Sequence, residues 1–345
     1  MAVKIINLIA GICFGLLGAM MNAQQTIAQP LPQVNEGSIQ RLENFASAWV
    51  APRHIDVWLP NGYTNAKKYA VLYMHDGQML YDARTTWNNQ AWEVHETLQR
   101  LMDSGQIKDC IVVGIWNSGP NRHSEYFPQK PFMALPQRYQ DSLLENGSRS
   151  GGNALFAGPI SSDNYLRFLV TELKPFIDKT FSTYPDAANT LVAGSSMGGL
   201  ISMYALCEYP KVFGGAACLS THWPGIFSVE NNPIPAAFLG YLDAQLPSPA
   251  NHRLYFDYGT ATLDSLYEPY QLQANAIMQK HRYGPGNWLT MAFPGANHSE
   301  QAWQQRFEIP AYFLLRRQEP APKQSEKSKA RKTQPGGATQ KRRHR

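Results

Sequence analysis

A serine on a glycine-flanked turn is the feature of the sequence that most directly suggests chemistry. Residues 194–198 read Gly-Ser-Ser-Met-Gly, which fits the pattern G-x-S-x-G. A strand-like apolar run at residues 191–193 precedes the turn, and a helical pattern begins at Gly199. In this context the turn exposes the hydroxyl of Ser196, and side chains at the two glycine positions would collide with neighbouring backbone. The pattern predicts a nucleophilic serine and acyl-transfer chemistry.

A serine hydroxyl needs a base to accept its proton, and His298 is the candidate for that base. It lies in a Gly-Ala-Asn-His loop that follows the predicted strand at residues 289–293 and opens the last long helical pattern. The other late histidines, His252, His281 and His344, lie near a strand start, at a helix end and in the tail, where solvated histidine is expected. A base that follows the serine in the chain is the order found where the nucleophile sits on such a turn.

The acid that orients this base should come from the end of the preceding strand. Asp264 is the candidate, because it lies a few residues beyond Gly259, which ends that strand. A helix N-cap is the alternative role for Asp264. Asp257, predicted to lie within the strand, and Glu268, predicted to lie on the next helix, are the weaker candidates for the acid.

Two backbone amides are candidates for binding the negative charge that develops on the ester oxygen. One is the amide of Met197, directly after the serine. The other is the amide of Gln78, or of Gly77, in the loop after the predicted strand at residues 69–74. The positive end of the helix that follows the serine acts in the same direction.

We predict no metal site and no cofactor. The sequence contains no CxxC or HExxH spacing. His75 and Asp76 are adjacent and could be imagined as a pair of metal ligands, but the interpretation we favour is that they brace their loop. Cys207 and Cys218 lie in apolar segments and are predicted to be buried thiols, with one disulfide as the alternative.

Strand-length apolar runs alternate with helical patterns along the body of the chain. The predicted strands are residues 38–46, 53–59, 69–74, 110–115, 190–193, 215–219, 253–257 and 288–293. The predicted helices are residues 91–102, 163–179, 199–208, 270–281 and 300–315. This alternation predicts an α/β fold with a mostly parallel sheet and helices on both faces. The first two strands have no helix between them and predict an antiparallel edge. In such a sheet the loops that carry chemistry gather at the carboxyl ends of the strands.

The sequence resembles the putative esterase family of the α/β-hydrolase superfamily, which is similar to esterase D, feruloyl and acetylxylan esterases and siderophore esterases. The matching stretches are Tyr-Met-His-Asp-Gly-Gln at 73–78, Val-Gly-Ile-Trp-Asn at 113–117, Arg122 with Glu-Tyr-Phe-Pro at 125–128, residues 194–199, and Gly-Ala-Asn-His at 295–298. They span roughly residues 38–315. The resemblance implies an α/β-hydrolase fold and a secreted or periplasmic carboxylic-ester hydrolase, with Ser196 as nucleophile and His298 as base.

The chain departs from the family pattern at the acid. Relatives commonly carry the acid two residues after a Gly-Thr pair, where this chain has Thr262. Some siderophore esterases of the superfamily work with little more than serine and histidine. A Ser-His dyad therefore remains open beside a triad completed by Asp264.

Loops should select the substrate. The segment at residues 117–163 has few apolar runs and is predicted to form a cap or rim. Trp116, Arg122 and Trp223 are the candidates for lining a substrate groove, together with Trp303. The expected partner is a small-molecule or carbohydrate ester, such as an acylated sugar, a feruloyl-type ester or a siderophore ester. The alternatives are acyl transfer to a sugar hydroxyl, as in the similar mycolyltransferases, and a non-catalytic binding protein on a hydrolase scaffold.

Both ends of the chain differ in composition from the body. Residues 1–23 combine Lys4, an apolar run and a final Met-Asn-Ala, which predicts a cleaved signal peptide and export to a periplasm or the medium. A membrane anchor is the alternative. Residues 24–37 are rich in Gln and Pro and residues 316–345 are basic, so both are predicted to be disordered, which leaves residues 38–315 as the catalytic domain.

The formal net charge of +5 is positive because of the basic tail. Residues 316–345 carry eleven basic and two acidic residues, so the body between signal peptide and tail has 19 basic and 24 acidic residues. This mildly acidic body argues against nucleic acid as a partner. The tail could contact an anionic cell envelope, with a solvated tail as the alternative. We expect a monomer or a weak dimer.

Overall fold

The computed structural model describes residues 29–148 and 152–317, and in this part of the chain eight strands form one sheet. The strands are β1 Ser38–Phe45, β2 Arg53–Leu59, β3 Ala70–His75, β4 Cys110–Ile115, β5 Thr190–Ser195, β6 Gly215–Leu219, β7 Arg253–Gly259 and β8 Trp288–Phe293. Their spatial order is β1-β2-β4-β3-β5-β6-β7-β8. β1 and β2 are antiparallel to their neighbours, and the remaining pairs are parallel. The α/β prediction with an antiparallel N-terminal edge is confirmed.

The helices of the described residues are α1 Val94–Asp103, α2 Arg122–Tyr126, α3 Gln129–Met133, α4 Gln137–Asn146, α5 Ser162–Phe168, α6 Lys174–Thr180, α7 Met197–Glu208, α8 Ile234–Gln245, α9 Glu268–Lys280, α10 Glu300–Arg306 and α11 Glu308–Leu315. A π-helical turn joins α5 to α6. The predicted last helix is divided into α10 and α11, because the ring of Pro310 would clash with the carbonyl of Arg306 in an unbroken helix. Four helices of the described residues were not predicted. Three of them, α2, α3 and α4, lie in the segment at residues 117–163, which has few apolar runs, and the fourth, α8, is apolar with little contrast between its faces.

Each face of the sheet carries one apolar cluster. Alternate residues of the central strands point to opposite faces, so Val71 packs with Phe168 and Leu200 on one side, while Leu72 packs with Leu98 on the other. Strands covered on both faces are apolar at successive positions, which is the pattern that identified them in the sequence.

Residues 29–37 correct the predicted boundary of the domain, because they lie against it instead of forming a disordered linker. The Asn35 side chain donates to Glu96 Oε1 at 2.7 Å, and its carbonyl oxygen lies 2.8 Å from His95 Nε2. The Arg41 guanidinium donates to the Gln29 carbonyl at 2.7 Å. These partners come from distant positions in the chain, so local composition alone could not reveal them.

Residues 1–28 and 318–345 lie outside the described part of the chain. The predicted signal peptide and almost all of the predicted basic tail fall there and stay predictions. Arg316 and Arg317 belong to the domain, since their side chains donate to the carbonyls of Gly286 and Ile107 at 2.6 and 3.0 Å. Within the described residues, no helix has the length and apolar character needed to cross a membrane.

Candidate active site

Ser196 forms the turn between β5 and α7. Its backbone has φ 59° and ψ −120°, a combination that an L-residue adopts only under constraint. The Ser196 amide donates to the Leu219 carbonyl at 3.0 Å, which holds the turn against β6. A Cβ at position 194 would lie 2.8 Å from the Gly198 carbonyl oxygen, so glycine is required there. The prediction of the same collision at Gly198 is wrong, because its nearest neighbours would be 3.5 Å away.

His298 lies in the loop between β8 and α10, and its ring contacts Asp264. The two side chains are joined by a hydrogen bond of 2.5 Å between Nδ1 and Oδ1. Asp264 is fully buried in the 3₁₀ turn Thr262–Leu266 that follows β7. Thr262 is at the position where the resemblance would place the acid, and its Oγ1 accepts from the His298 amide at 2.9 Å. The structure thus brings together the predicted base and the predicted acid.

The second oxygen of Asp264 is held by two donors. Oδ2 accepts from the Ser220 hydroxyl at 2.5 Å and from the Gly259 amide at 2.6 Å. Burial by itself raises the pKa of Asp264, but the contacts with His298, Ser220 and Gly259 outweigh it, and the pKa is lowered overall. The side chain is therefore a carboxylate at neutral pH.

Ser220 connects Asp264 to a buried ion pair. The Arg306 Nη2 donates to Ser220 Oγ at 2.8 Å and to Asp257 Oδ1 at 2.9 Å, and Trp303 Nε1 donates to Ser220 Oγ at 2.9 Å. Asp257, the weaker candidate for the acid, is thus the partner of Arg306. Burial raises its pKa, and Arg306 opposes that rise. Sequence reasoning missed Ser220 and Arg306, which lie on separate elements and match no motif.

Glu268, the other weaker candidate for the acid, lies at the start of α9, and its Oε1 accepts from the Tyr258 hydroxyl at 3.4 Å. Asp264 is the carboxylate that contacts the His298 ring.

Ser196 and His298 line one cavity of about 870 Å³. The His298 ring packs edge-on against Trp303 and Tyr267, with centroid distances of 5.0 and 5.9 Å. Burial raises the pKa of Tyr267, the Asp264 charge adds to the rise, and the Ser196 hydroxyl opposes it. Within the described residues no hydrogen bond yet joins Ser196 to His298. In unliganded sites such bonds commonly form only when substrate binds.

The two predicted oxyanion donors are at helix starts. Met197 is the first residue of α7, and Gln78 is the second residue of the 3₁₀ turn Gly77–Met79. Amides in these positions lack acceptors within their own helix. A Cβ at position 77 would lie 2.4 Å from the Gly114 carbonyl carbon, so only glycine lets this loop approach β4 so closely.

His75 and Asp76 brace the same loop. His75 Nδ1 lies 2.8 Å from the Tyr165 hydroxyl, and burial lowers its pKa to about 3, so the ring is neutral. Asp76 accepts from Arg122 Nε and Nη2 at 2.6 and 2.7 Å and from Asn117 at 2.7 Å. Burial raises the pKa of Asp76, but these contacts outweigh it and lower the pKa overall.

No group of three or more His, Cys, Asp or Glu side chains that could hold a metal is present in residues 29–148 and 152–317. The three cysteines of this part of the chain, Cys110, Cys207 and Cys218, are buried and free.

Not all of the predicted substrate-binding residues line the cavity. Trp116 and Arg122 line the cavity, as does Trp303. Trp223 does not: it is fully buried, donates to Gln271 Oε1 at 3.0 Å and packs beside Phe256, so that prediction is wrong. Local sequence cannot distinguish a groove tryptophan from a core tryptophan, because burial depends on which helix covers the strand end.

Of the described residues of the predicted cap, only the first few line the cavity, among them Asn117 and Gly119. Further along, α3 packs against α8. Sequence reasoning missed Trp87, which lines the cavity and is 82% exposed.

The mostly parallel eight-stranded sheet, with Ser196 on a constrained strand-to-helix turn, defines an α/β-hydrolase fold. Residues 47–309 match the model of the Esterase family, described as putative esterase, and the chain belongs to this family.

The chain is 26% identical over 173 residues to the uncharacterized protein YbbA of Bacillus subtilis, an alignment that covers 50% of this chain and 58% of YbbA. It is 27% identical over 233 residues to an endo-1,4-beta-xylanase/feruloyl esterase of Xylanibacter ruminicola, covering 63% of this chain and 26% of that protein. The chain therefore spans less than two thirds of the length of these relatives. The solved structure of the enterobactin esterase from Shigella flexneri has the same fold, with a TM-score of 0.59 and 17% identity over 83% of this chain and 62% of that chain.

Proposed function

We propose that the protein is a serine esterase that hydrolyses carboxylic esters through an acyl-enzyme on Ser196. The observation that carries the proposal is the 2.5 Å hydrogen bond between His298 and the buried carboxylate of Asp264, together with the position of His298 on the wall of the cavity that Ser196 also lines. Membership of the Esterase family supports ester hydrolysis as the reaction class.

In the first half of the proposed reaction, His298 accepts the proton of Ser196 as the hydroxyl oxygen attacks the ester carbonyl carbon. The carbonyl oxygen becomes an anion and accepts hydrogen bonds from the amides of Met197 and Gln78. His298 then gives the proton to the leaving alcohol oxygen, and the acyl group stays on Ser196. Asp264 remains ionised and stabilises the positively charged ring of His298.

In the second half, water replaces the alcohol. His298 accepts a proton from the water as its oxygen attacks the acyl carbon, and the same two amides stabilise the anion. Collapse of this intermediate returns the proton to Ser196 Oγ and releases the carboxylic acid. The site then returns to its starting state.

The test is hydrolysis of p-nitrophenyl acetate and p-nitrophenyl butyrate by the purified protein. Ser196→Ala should reduce kcat by at least about 10³-fold and abolish covalent labelling by a fluorophosphonate. Ser195→Ala is the matched control: it removes the neighbouring cavity-lining hydroxyl, and we expect it to leave kcat within about twofold. Absence of both turnover and labelling in the unsubstituted protein would contradict the proposal and favour the binding-protein alternative. A dominant acyl-sugar product when a free sugar is added would favour acyl transfer.

We also propose that the protein is exported, on the grounds of the signal-peptide pattern at residues 1–23. Expression of the whole chain in a bacterial host should give a periplasmic or secreted product whose N-terminal sequence begins at Gln24. A product in the cytoplasm that retains residues 1–23 would contradict this proposal.

A further inference from the structure

Trp87 is an exposed tryptophan on the wall of the catalytic cavity. Its side chain is 82% exposed, more than any other large apolar side chain in the described residues. It lines the same cavity as Ser196 and His298. A large flat apolar surface beside reacting groups is available for contact with a ring of the substrate.

The turn that carries Trp87 is held by hydrogen bonds on both sides. The Thr86 hydroxyl donates to the Ala83 carbonyl at 2.9 Å, and the Gln90 amide donates to Thr86 Oγ1 at 3.1 Å. Asn89 has φ 54°, which closes the turn. The position of the Trp87 backbone is therefore set before any ligand binds, which lowers the entropy cost of using its ring for binding.

This turn is attached to the helix that follows His298. Asn88 Nδ2 donates to Glu300 Oε2 at 2.7 Å, and the Gln301 amide donates to Gln90 Oε1 at 3.2 Å. In the proposed reaction His298 gives its proton to the leaving alcohol oxygen, so the alcohol portion of the ester lies on the His298 side of the cavity. Trp87 is thus placed beside the alcohol portion.

The other side chains of the cavity indicate what kind of alcohol this is. Amide and carboxyl groups share the wall with the indole ring: Gln29, Gln78, Asn88, Gln90, Asn117 and Glu300. A pyranose ring has an apolar C–H face that can stack on an indole and a rim of hydroxyl groups that such side chains bind. The cationic Arg122 is already paired with Asp76, and Glu300 adds a negative charge, so an anionic alcohol is disfavoured.

We propose that Trp87 is the platform of a subsite that binds the alcohol portion of the ester, and that this portion is a saccharide. The proposal rests on the proposed esterase function and adds the substrate class and the residue that recognises it. The Trp87 turn, which is tied to the His298 helix, positions the sugar ring next to the bond that breaks.

The test uses three acetate esters that differ only in the alcohol: ethyl acetate, phenyl acetate, and methyl β-D-xylopyranoside carrying one acetyl group. Trp87→Ala should raise the KM for the acetylated xyloside about tenfold, with kcat within about twofold. The KM values for ethyl and phenyl acetate should change by less than about threefold, and Trp87→Tyr should restore most of the xyloside affinity. Tyr312→Ala, which removes an exposed aromatic side chain outside the cavity, is the control and should change none of these values.

Equal losses on all three esters, or a loss confined to phenyl acetate, would overturn the saccharide subsite while leaving the esterase function intact. An unchanged KM for the xyloside in Trp87→Ala would overturn the role of Trp87. If the unsubstituted protein hydrolyses none of the esters and a fluorophosphonate does not label it, the esterase function fails, and this outcome is distinct from failure of the subsite.

Discussion

Asp264→Asn is the substitution that separates a triad from a Ser-His dyad. Two donors, the Ser220 hydroxyl and the Gly259 amide, point at Oδ2 of Asp264. An asparagine in this position therefore places its oxygen there and turns its NH₂ group toward His298 Nδ1. That NH₂ group donates to Nδ1, so the ring proton moves to Nε2, the nitrogen that should accept the proton of Ser196.

The resulting tautomer cannot act as the base, and the loss should be large. The equivalent change in a serine-protease triad lowers kcat by about 10⁴-fold, and we expect a loss of about 10³- to 10⁴-fold here, or about 4–5.5 kcal/mol in the barrier. If the site works as a dyad that does not need the carboxylate, the loss should be less than about tenfold.

The assay is kcat and kcat/KM for p-nitrophenyl acetate at neutral pH, with thermal unfolding followed by circular dichroism as the control for folding. The lowered pKa of Asp264 means that its contribution to stability is present above the ordinary carboxyl pKa of about 3.9 and is lost only as the pH falls further. Glu268→Gln is the matched carboxyl-to-amide control and should keep kcat within about twofold. An Asp264→Asn protein that unfolds normally and retains more than about a tenth of kcat would refute this reasoning.

Three further predictions follow from contacts around the site. The pKa of His75 is about 3 in the fold and about 6.5 in the unfolded chain, so below pH 6.5 the neutral ring costs about 1.4 kcal/mol of stability per pH unit. His75→Gln should remove this dependence of the free energy of unfolding on pH, measured by urea unfolding. Unfolding free energies that change with pH in the same way in both proteins would contradict this prediction. Gly77→Ala should displace the Gln78 amide and lower kcat about 10²-fold. The control is Gly240→Ala in α8, where an added Cβ meets open space, and it should leave kcat unchanged. Equal kcat values for the two variants would argue against Gln78 as an oxyanion donor. Arg306→Met should lower the free energy of unfolding by about 3–5 kcal/mol, because Asp257 becomes an unpaired buried charge. Adding Asp257→Asn to this variant should recover part of the lost stability. If it recovers none, loss of the Arg306–Asp257 ion pair is not what destabilises the protein.

The local sequence was sufficient to predict the strands and the candidate reacting groups. Parallel strands are buried on both faces and therefore appear as uninterrupted apolar runs, such as the one that became β3 Ala70–His75. The carboxyl ends of such strands must meet at one edge. For this reason the sequence predicts that Ser196, His298 and Asp264, each placed after a strand, lie close together.

At Thr262 the chain departs from the family pattern, so the motifs do not identify the acid. The family pattern left the acid unresolved between Asp264 and a dyad. In the structure Asp264 contacts the His298 ring, while Thr262 binds the backbone of the same residue. A difference of two positions along a turn changes which atom reaches the ring, and sequence spacing alone does not specify that geometry.

The sequence by itself determined the class of fold, the constrained turn at Ser196 and the loops that hold the candidate reacting groups, because those depend on local backbone preferences and on burial patterns along one strand. Only the tertiary structure decided that Trp223 is a core residue while Trp87 faces the cavity, and that Arg306 belongs with Asp257 and Ser220. Whether a side chain is covered, exposed or paired with an opposite charge depends on elements that are far apart in the chain. Packing between elements decides these properties, and the neighbouring residues in the sequence do not.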